Sequence, residues 1–134
     1  MRTTVEIAKV DDRLGIVFGY GVICEKRDAT GQLAPFVDVQ GDFVDPRGML
    51  EASADFMAGD RDSLVMHEGE PAGQVVFGFP LTSDIAAALG VSIEKTGFIV
   101  GIRPRADVMD RVRSGELRAF SIGGSVLDAE EITQ

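Results

Sequence analysis

The sequence predicts an α+β domain, a bent sheet or small barrel of about six strands flanked by about three helices. Three observations predict it. Strand-like runs rich in β-branched and aromatic residues recur along the chain. One of them, residues 14–24, is broken by Gly15, Gly19 and Gly21, the pattern of a strand that bends at a barrel corner. Helical stretches with recognisable caps lie among the strands without alternating strictly with them, which argues against a doubly wound parallel sheet.

In chain order, residues 5–10 read as a first strand and residues 14–24 as the glycine-broken second. Residues 25–31 are polar and turn-like, and residues 35–42 read as a short strand entering a loop. Asp45-Pro46 opens a helix, with aspartate as the cap and proline at the first helical position. Leu50, Ala54 and Met57 give that helix an apolar row, Met49, Ser53 and Phe56 the adjoining one, and Gly59 a stop. Residues 64–67 form a short strand, residues 68–73 a loop, and residues 74–81 a strand ending at Pro80. Thr82-Ser83-Asp84 caps a short helix through Leu89, closed by Gly90. Residues 97–102 make another apolar strand. After Arg103-Pro104 a helix runs to about Ser114 on the stripe Val108, Met109 and Val112, with Gly115 as its terminator. Residues 117–122 form the last strand, and the acidic residues 126–134 read as a loose tail.

The bulk numbers limit the classes of function. A chain of 134 residues with 45% apolar and 26% charged residues is one globular domain, spanning 1–134, that needs no staples. A net charge of −9 repels phosphate backbones, so nucleic acid is not an expected partner. No apolar run approaches the roughly 20 residues that span a bilayer, and the N-terminus shows no signal-peptide core. Cys24 is the single cysteine, so an internal disulfide is excluded and a reducing, cytosol-like compartment is expected. Positive charge gathers at Arg103, Arg105, Arg111, Arg113 and Arg118. That cluster could receive an acidic partner segment or simply form a solvated helix face.

Two residues could carry chemistry together. His67, the only histidine, ends the apolar run Leu64-Val65-Met66. Ser121 ends another strand and precedes Ile122-Gly123-Gly124. An imidazole could take the serine proton, and the amides of Gly123 and Gly124, bare of Cβ atoms, could approach a developing oxyanion. Alternation puts His67 on the face of Val65, and Ser121 on the face of Leu117 and Ala119. The pair works only if those two faces open into one cleft. The plainer reading is a structural or exposed histidine and a turn serine. No Gly-x-Ser-x-Gly elbow is present, so an α/β-hydrolase is not expected. Asp38, Asp42 and Asp45 crowd one loop, where capping and solvation suit them better than cation binding, since the spacing fits no EF-hand. Glu68 and Glu70 flank the histidine and either could orient it. Cys24 reads as a small buried hydrophobe. No cofactor pattern and no metal-ligand set is read, since one histidine and one cysteine make a poor zinc site.

At the level of motifs the chain resembles a known family. The motifs are Val37-Asp38-Val39-Gln40-Gly41-Asp42-Phe43-Val44-Asp45, a helix ending Asp55-Phe56-Met57, a strand ending in His67, and Val108-Met109-Asp110-Arg111-Val112-Arg113-Ser114-Gly115-Glu116-Leu117 running into Arg118-Ala119-Phe120-Ser121-Ile122-Gly123-Gly124. This order resembles the tailed-phage prohead proteases, especially the XkdF-like serine proteases, over roughly residues 10–125. Residues 115–124 are its most specific part.

The resemblance implies an assemblin-like fold, a bent β-barrel of about six or seven strands surrounded by helices and assembled as a dimer or larger homo-oligomer. It implies a serine endopeptidase with Ser121 as nucleophile, His67 as base and Gly123/Gly124 as the oxyanion region, and no cofactor. It would cleave scaffold or capsid-protein segments, and itself, inside the prohead in the bacterial host cytoplasm during capsid maturation. Relatives carry a third catalytic residue on a strand beyond the serine. Here no strand is read after Ser121: the form is trimmed, or self-cleaved, or takes its third member from elsewhere in the chain, and its activity is expected to be weakened or absent. The acidic candidates are Asp128, Glu130 and Glu131 in the tail, and Glu70 or Glu68 beside the histidine. The alternative is a non-enzymatic virion or scaffold-binding domain that keeps the protease fold.

Overall fold

The computed structural model describes residues 2–38, 41–60 and 65–123. Among them the chain forms eight strands and three α-helices in an α+β arrangement. The strands are β1 (Arg2–Glu6), β2 (Lys9–Asp11), β3 (Ile16–Arg27), β4 (Leu33–Pro35), β5 (Val65–His67), β6 (Glu70–Leu81), β7 (Lys95–Pro104) and β8 (Ala119–Gly123). The helices are α1 (Pro46–Asp55), continued by one wider π-turn over Phe56–Asp60, then α2 (Ser83–Leu89) and α3 (Ala106–Arg113).

The sheet runs β1-β8-β5-β6-β7-β3-β2, every pair antiparallel, with β4 added outside β3. It curls into a half-barrel, consistent with the expected bent barrel. The first and last described strands meet, since β1 pairs with β8 from Arg2↔Gly123 to Glu6↔Ala119. β1 also lies across the inner face of β3, where the Thr3 hydroxyl donates to the Gly21 carbonyl. The backbones come so close there that a Cβ on Gly19 would sit 2.2 Å from the Glu6 carbonyl oxygen.

The expected first strand over 5–10 is in fact two. Its hydrogen bonds change partner midway, Ile7 N–H donating to Arg118 O at 2.9 Å and Ala8 N–H to Phe18 O at 2.8 Å. The chain thus steps from the β8 side to the β3 side. β3 continues to Arg27, through residues that read as a turn, because Glu25 and Lys26 pair with Thr96 and Lys95. Two register shifts near Gly21 and Cys24 bend it. The expected strand over 35–42 is only β4, which ends at Pro35. The expected loop over 68–73 shrinks to Glu68-Gly69, because β6 begins at Glu70. Pro71 enters the strand beside a bulge, a position where a missing N–H does little harm.

The helix signals act as their chemistry dictates. The Asp45 carboxylate accepts from Gly48 N–H at 3.2 Å and caps α1. Thr82 accepts from Ile85 N–H at 3.2 Å and caps α2, while Gly90 ends it in the left-handed region. Gly115, at φ 80°, follows α3. Gly59 lies inside the π-turn rather than ending the helix. Met49 of α1 and Val108, Met109 and Val112 of α3 join Phe98, Val100, Ile102, Phe120 and Ile122 of the sheet in one core. Phe56 meets Phe98 edge-on at 6.0 Å. Among the described residues no helix is long and apolar enough to cross a membrane.

Candidate active site

β5 is short and closes on β6 through the two-residue turn Glu68-Gly69. Both turn residues have positive φ, 52° and 80°. Two left-handed central residues give the tight turn whose twist suits a hairpin. The turn fixes His67 opposite Glu70. On its other side β5 pairs with β8, Val65 with Ile122 and Met66 with Ser121, and the ladder ends there. The strand bearing the histidine and the strand bearing the serine are therefore hydrogen-bonded neighbours.

The pairing brings the two residues near, though not face to face. Ser121 sits directly across from Met66, and His67 is one step further along β5. With a ~4.8 Å strand spacing and a ~3.4 Å rise, their Cα atoms are roughly 6 Å apart. Phe120 and Ile122 point into the core, while Ser121 is exposed on the outer face. Leu117 and Arg118 precede the strand, and Leu117 is buried. On β5, Val65 is buried and Met66 turns outward beside Ser121. Alternation therefore assigns His67 to the side of Val65, opposite to Ser121, so the condition that both faces open into one cleft is not met by strict alternation. Two features loosen that assignment. His67 lies past the last β5–β8 pair and just before the turn, and its side chain is half-buried, at 22% exposure. No hydrogen bond joins His67 to Ser121 among the described residues.

Of the two glutamates named beside the histidine, one has its carboxylate close to the ring and the other faces it across the ladder. Glu68 Oε1 stands 3.5 Å from His67 Nε2. Glu70 faces His67 across the hairpin. Asp128, Glu130, Glu131 and Gly124 lie outside the described residues. Gly123 closes β8 opposite Arg2, and a Cβ there would meet nothing within 4 Å, so its backbone is open to an approaching group.

The remaining candidates have structural work. Cys24 is fully buried, and burial, helped by the nearby Glu25 and Asp45 charges, pushes its thiol up to about 11. It stays protonated near neutrality and is no rival nucleophile. The Asp38 carboxylate accepts from Asp42 N–H at 2.9 Å, and Asp45 caps α1. Hydrogen bonds from the Thr30 hydroxyl and from the Thr30 and Gln32 amides hold the Asp28 carboxyl below its ordinary value, which marks a turn and not a site. The arginine cluster is largely paired on the surface, Arg105 with Asp107, Arg111 with Glu116, and Arg113 with Asp12 and Asp110.

Thr4 and Met66 flank Ser121 on the two neighbouring strands; the sequence reading gave Thr4 no part and Met66 only a place in the apolar run before His67. Nothing in a single sequence marks them, because the offset between strands is a tertiary property. A groove of about 1020 Å³ opens beside β1, lined by Thr4, Glu6, Tyr20, Lys26, Phe36 and Asp42 among others. Neither His67 nor Ser121 lines it, and Thr4 is its link to the serine strand.

These features define an α+β domain with a curled antiparallel sheet and a histidine strand beside a serine strand. No family model, curated protein or solved structure matches the chain.

Proposed function

We propose that the chain is a serine endopeptidase that cleaves scaffold or capsid-protein segments, and itself, during phage prohead maturation. The observation that carries this reading is the direct pairing of β5 with β8, which sets the sole histidine within one register step of Ser121. Ser121 Oγ attacks the scissile carbonyl. His67 takes its proton and returns it to the leaving amine. Glu68, 3.5 Å from the imidazole, or Glu70 across the hairpin orients the base. The amide at Gly123, two residues past the nucleophile at the end of β8, would serve as an oxyanion donor. Productive contact requires the His67 side chain to turn past the end of β5 onto the outer face. The working form is a homo-oligomer inside the prohead, in the bacterial host cytoplasm.

A second reading is a non-enzymatic virion or scaffold-binding domain on the same fold. One observation favours it: Met66, not His67, stands across from Ser121. A fluorophosphonate separates the two. The peptidase forms a stoichiometric adduct at Ser121, lost in both Ser121→Ala and His67→Ala, and Ser121→Ala leaves a co-expressed scaffold uncut. Absence of adduct in the assembled, scaffold-loaded prohead leaves the binding domain as the answer.

A further inference from the structure

The outer face of the sheet carries an aromatic patch that the described elements leave open. Register sets its outward positions in two rows. Phe18 of β3, Gly101 of β7 and Phe77 of β6 make the first, and Tyr20, Ile99 and Phe79 the second. Val100, between the rows, points into the core. Phe77 and Phe79 are 53% and 46% exposed. The Phe18 and Phe77 rings lie 6.2 Å apart with planes 7° from parallel. They close over Gly101, where a Cβ would press to 2.9 Å of the Phe77 ring and 3.1 Å of the Phe18 ring. Solvated aromatic carbon on a contiguous sheet face marks a contact site.

Cations bound this patch on three sides although the molecule carries a net charge of −9. Lys9 pairs in register with Phe18 and so stands on the same face. Arg103, two residues beyond Gly101, is exposed near the end of β7. Lys95, at the start of β7, places its ammonium 5.5 Å from the Tyr20 ring centre. Neither Lys9 nor Arg103 has an ion pair among the described residues. Asp11, two residues past Lys9, turns its carboxylate to the Leu14 N–H at 2.9 Å.

We infer that this face docks an extended segment of another protein, apolar at its centre and acidic at both ends. The charge pattern follows from β7. Lys95 opens the strand and Arg103 stands one residue from its end. At ~3.3 Å per residue the two lie ~26 Å apart, which about ten residues of extended chain span. The rings take the apolar centre of the segment, and Lys95 and Arg103 take its carboxylates, with Lys9 on the flank. Such a segment senses the rim rather than the whole molecule, because at physiological salt charges beyond about 8 Å are screened. A second copy of the chain is the poorer occupant, since face-to-face docking would set this cationic rim against itself. This inference does not depend on the peptidase reading.

A synthetic peptide of about ten residues, with Leu and Val at its centre and Asp and Glu at each end, tests it against the isotope-enriched full chain. Amide signals of Tyr20, Phe77, Phe79, Ile99 and Gly101 are expected to shift saturably. A peptide with Lys at both ends should leave them unmoved. Lys9→Gln combined with Arg103→Gln should weaken binding about tenfold, as should Phe77→Ser. Arg47→Gln combined with Arg118→Gln removes the same charge elsewhere on the surface and should leave binding unchanged. Undisturbed signals of the core residues Phe98 and Phe120 show that each variant is folded. The inference is overturned by the absence of a saturable shift up to about 1 mM acidic peptide. Shifts centred on the groove beside β1, equal binding of the Lys-ended peptide, or equal weakening by the Arg47 and Arg118 changes overturn it too. Shifts of the same signals on raising the protein concentration without peptide overturn it in favour of a second copy.

Discussion

Glu68 is, among the described residues, the one non-glycine residue at positive φ. An L-residue with a Cβ is disfavoured there by ~1–2 kcal/mol, and only Asn and Asp visit the region readily. The strain is tolerated because β5 and β6 pair on both sides of the turn, and it leaves a carboxylate 3.5 Å from His67. Glu68→Asn is therefore expected to raise the thermal midpoint, by about 0.5–1 kcal/mol of stability, since Asn-Gly is the favoured pair for this turn. In the peptidase reading it lowers turnover at the same time. A variant that melts lower would show that the glutamate stabilises the turn by some other contact. The neighbouring residues explain why the site was only partly legible. His67 and Ser121 announce themselves by uniqueness and by flanking glycines. Their relative facing depends on whether Ser121 meets position 66 or 67, and a one-residue offset reverses every face.

At the level of elements, the crossing of β1 over β3 depends on Gly19. A methyl group there would lie 2.2 Å from the Glu6 carbonyl oxygen and 2.9 Å from Val5 Cγ1, both on a strand held by five pairs to β8. Gly19→Ala is expected to cost ~1–3 kcal/mol, seen as a lower urea midpoint with an unchanged slope. An unchanged midpoint would mean that β1 moves aside freely and contributes little to closing the half-barrel. The three helices were legible from Asp45, Thr82, Gly90 and Gly115 because caps are local chemistry. The strands were legible in position and not in extent. Glu70-Pro71-Ala72-Gly73 has the composition of a loop, yet it forms a strand because β5 offers hydrogen bonds and a bulge absorbs the proline. Glu25 to Arg27 is polar, yet it is recruited by β7 and β4. In both places tertiary pairing overrides composition.

For the whole molecule, the chief electrostatic fact is an excess of nine negative charges on 134 residues. The surface ion pairs found between arginines and carboxylates offset it only locally, and such exposed pairs contribute little each. Self-repulsion therefore opposes the compact state. Raising ionic strength from about 0.01 M to about 0.15 M shortens the screening length from about 30 Å to about 8 Å. The melting temperature is expected to rise with it, on the order of 2–4 °C for about 1 kcal/mol relieved. A fall would mean that favourable ion pairs outweigh the repulsion. The mixed α+β class was legible because it depends on the number and kind of elements. The curl of the sheet and the pairing of β1 with β8 were not, since that pairing joins residues more than a hundred positions apart.

That meeting has a consequence for how the protein is made. β8 lies between β1 and β5, both of which precede it in the chain. Until β8 is made, β1 and β5 stand apart with a strand-wide slot between them and backbone amides unsatisfied on both of its walls. The strand that carries the serine is the piece that fills the slot. A chain made only as far as β7 thus holds the imidazole of His67 and lacks the strand that is to lie beside it.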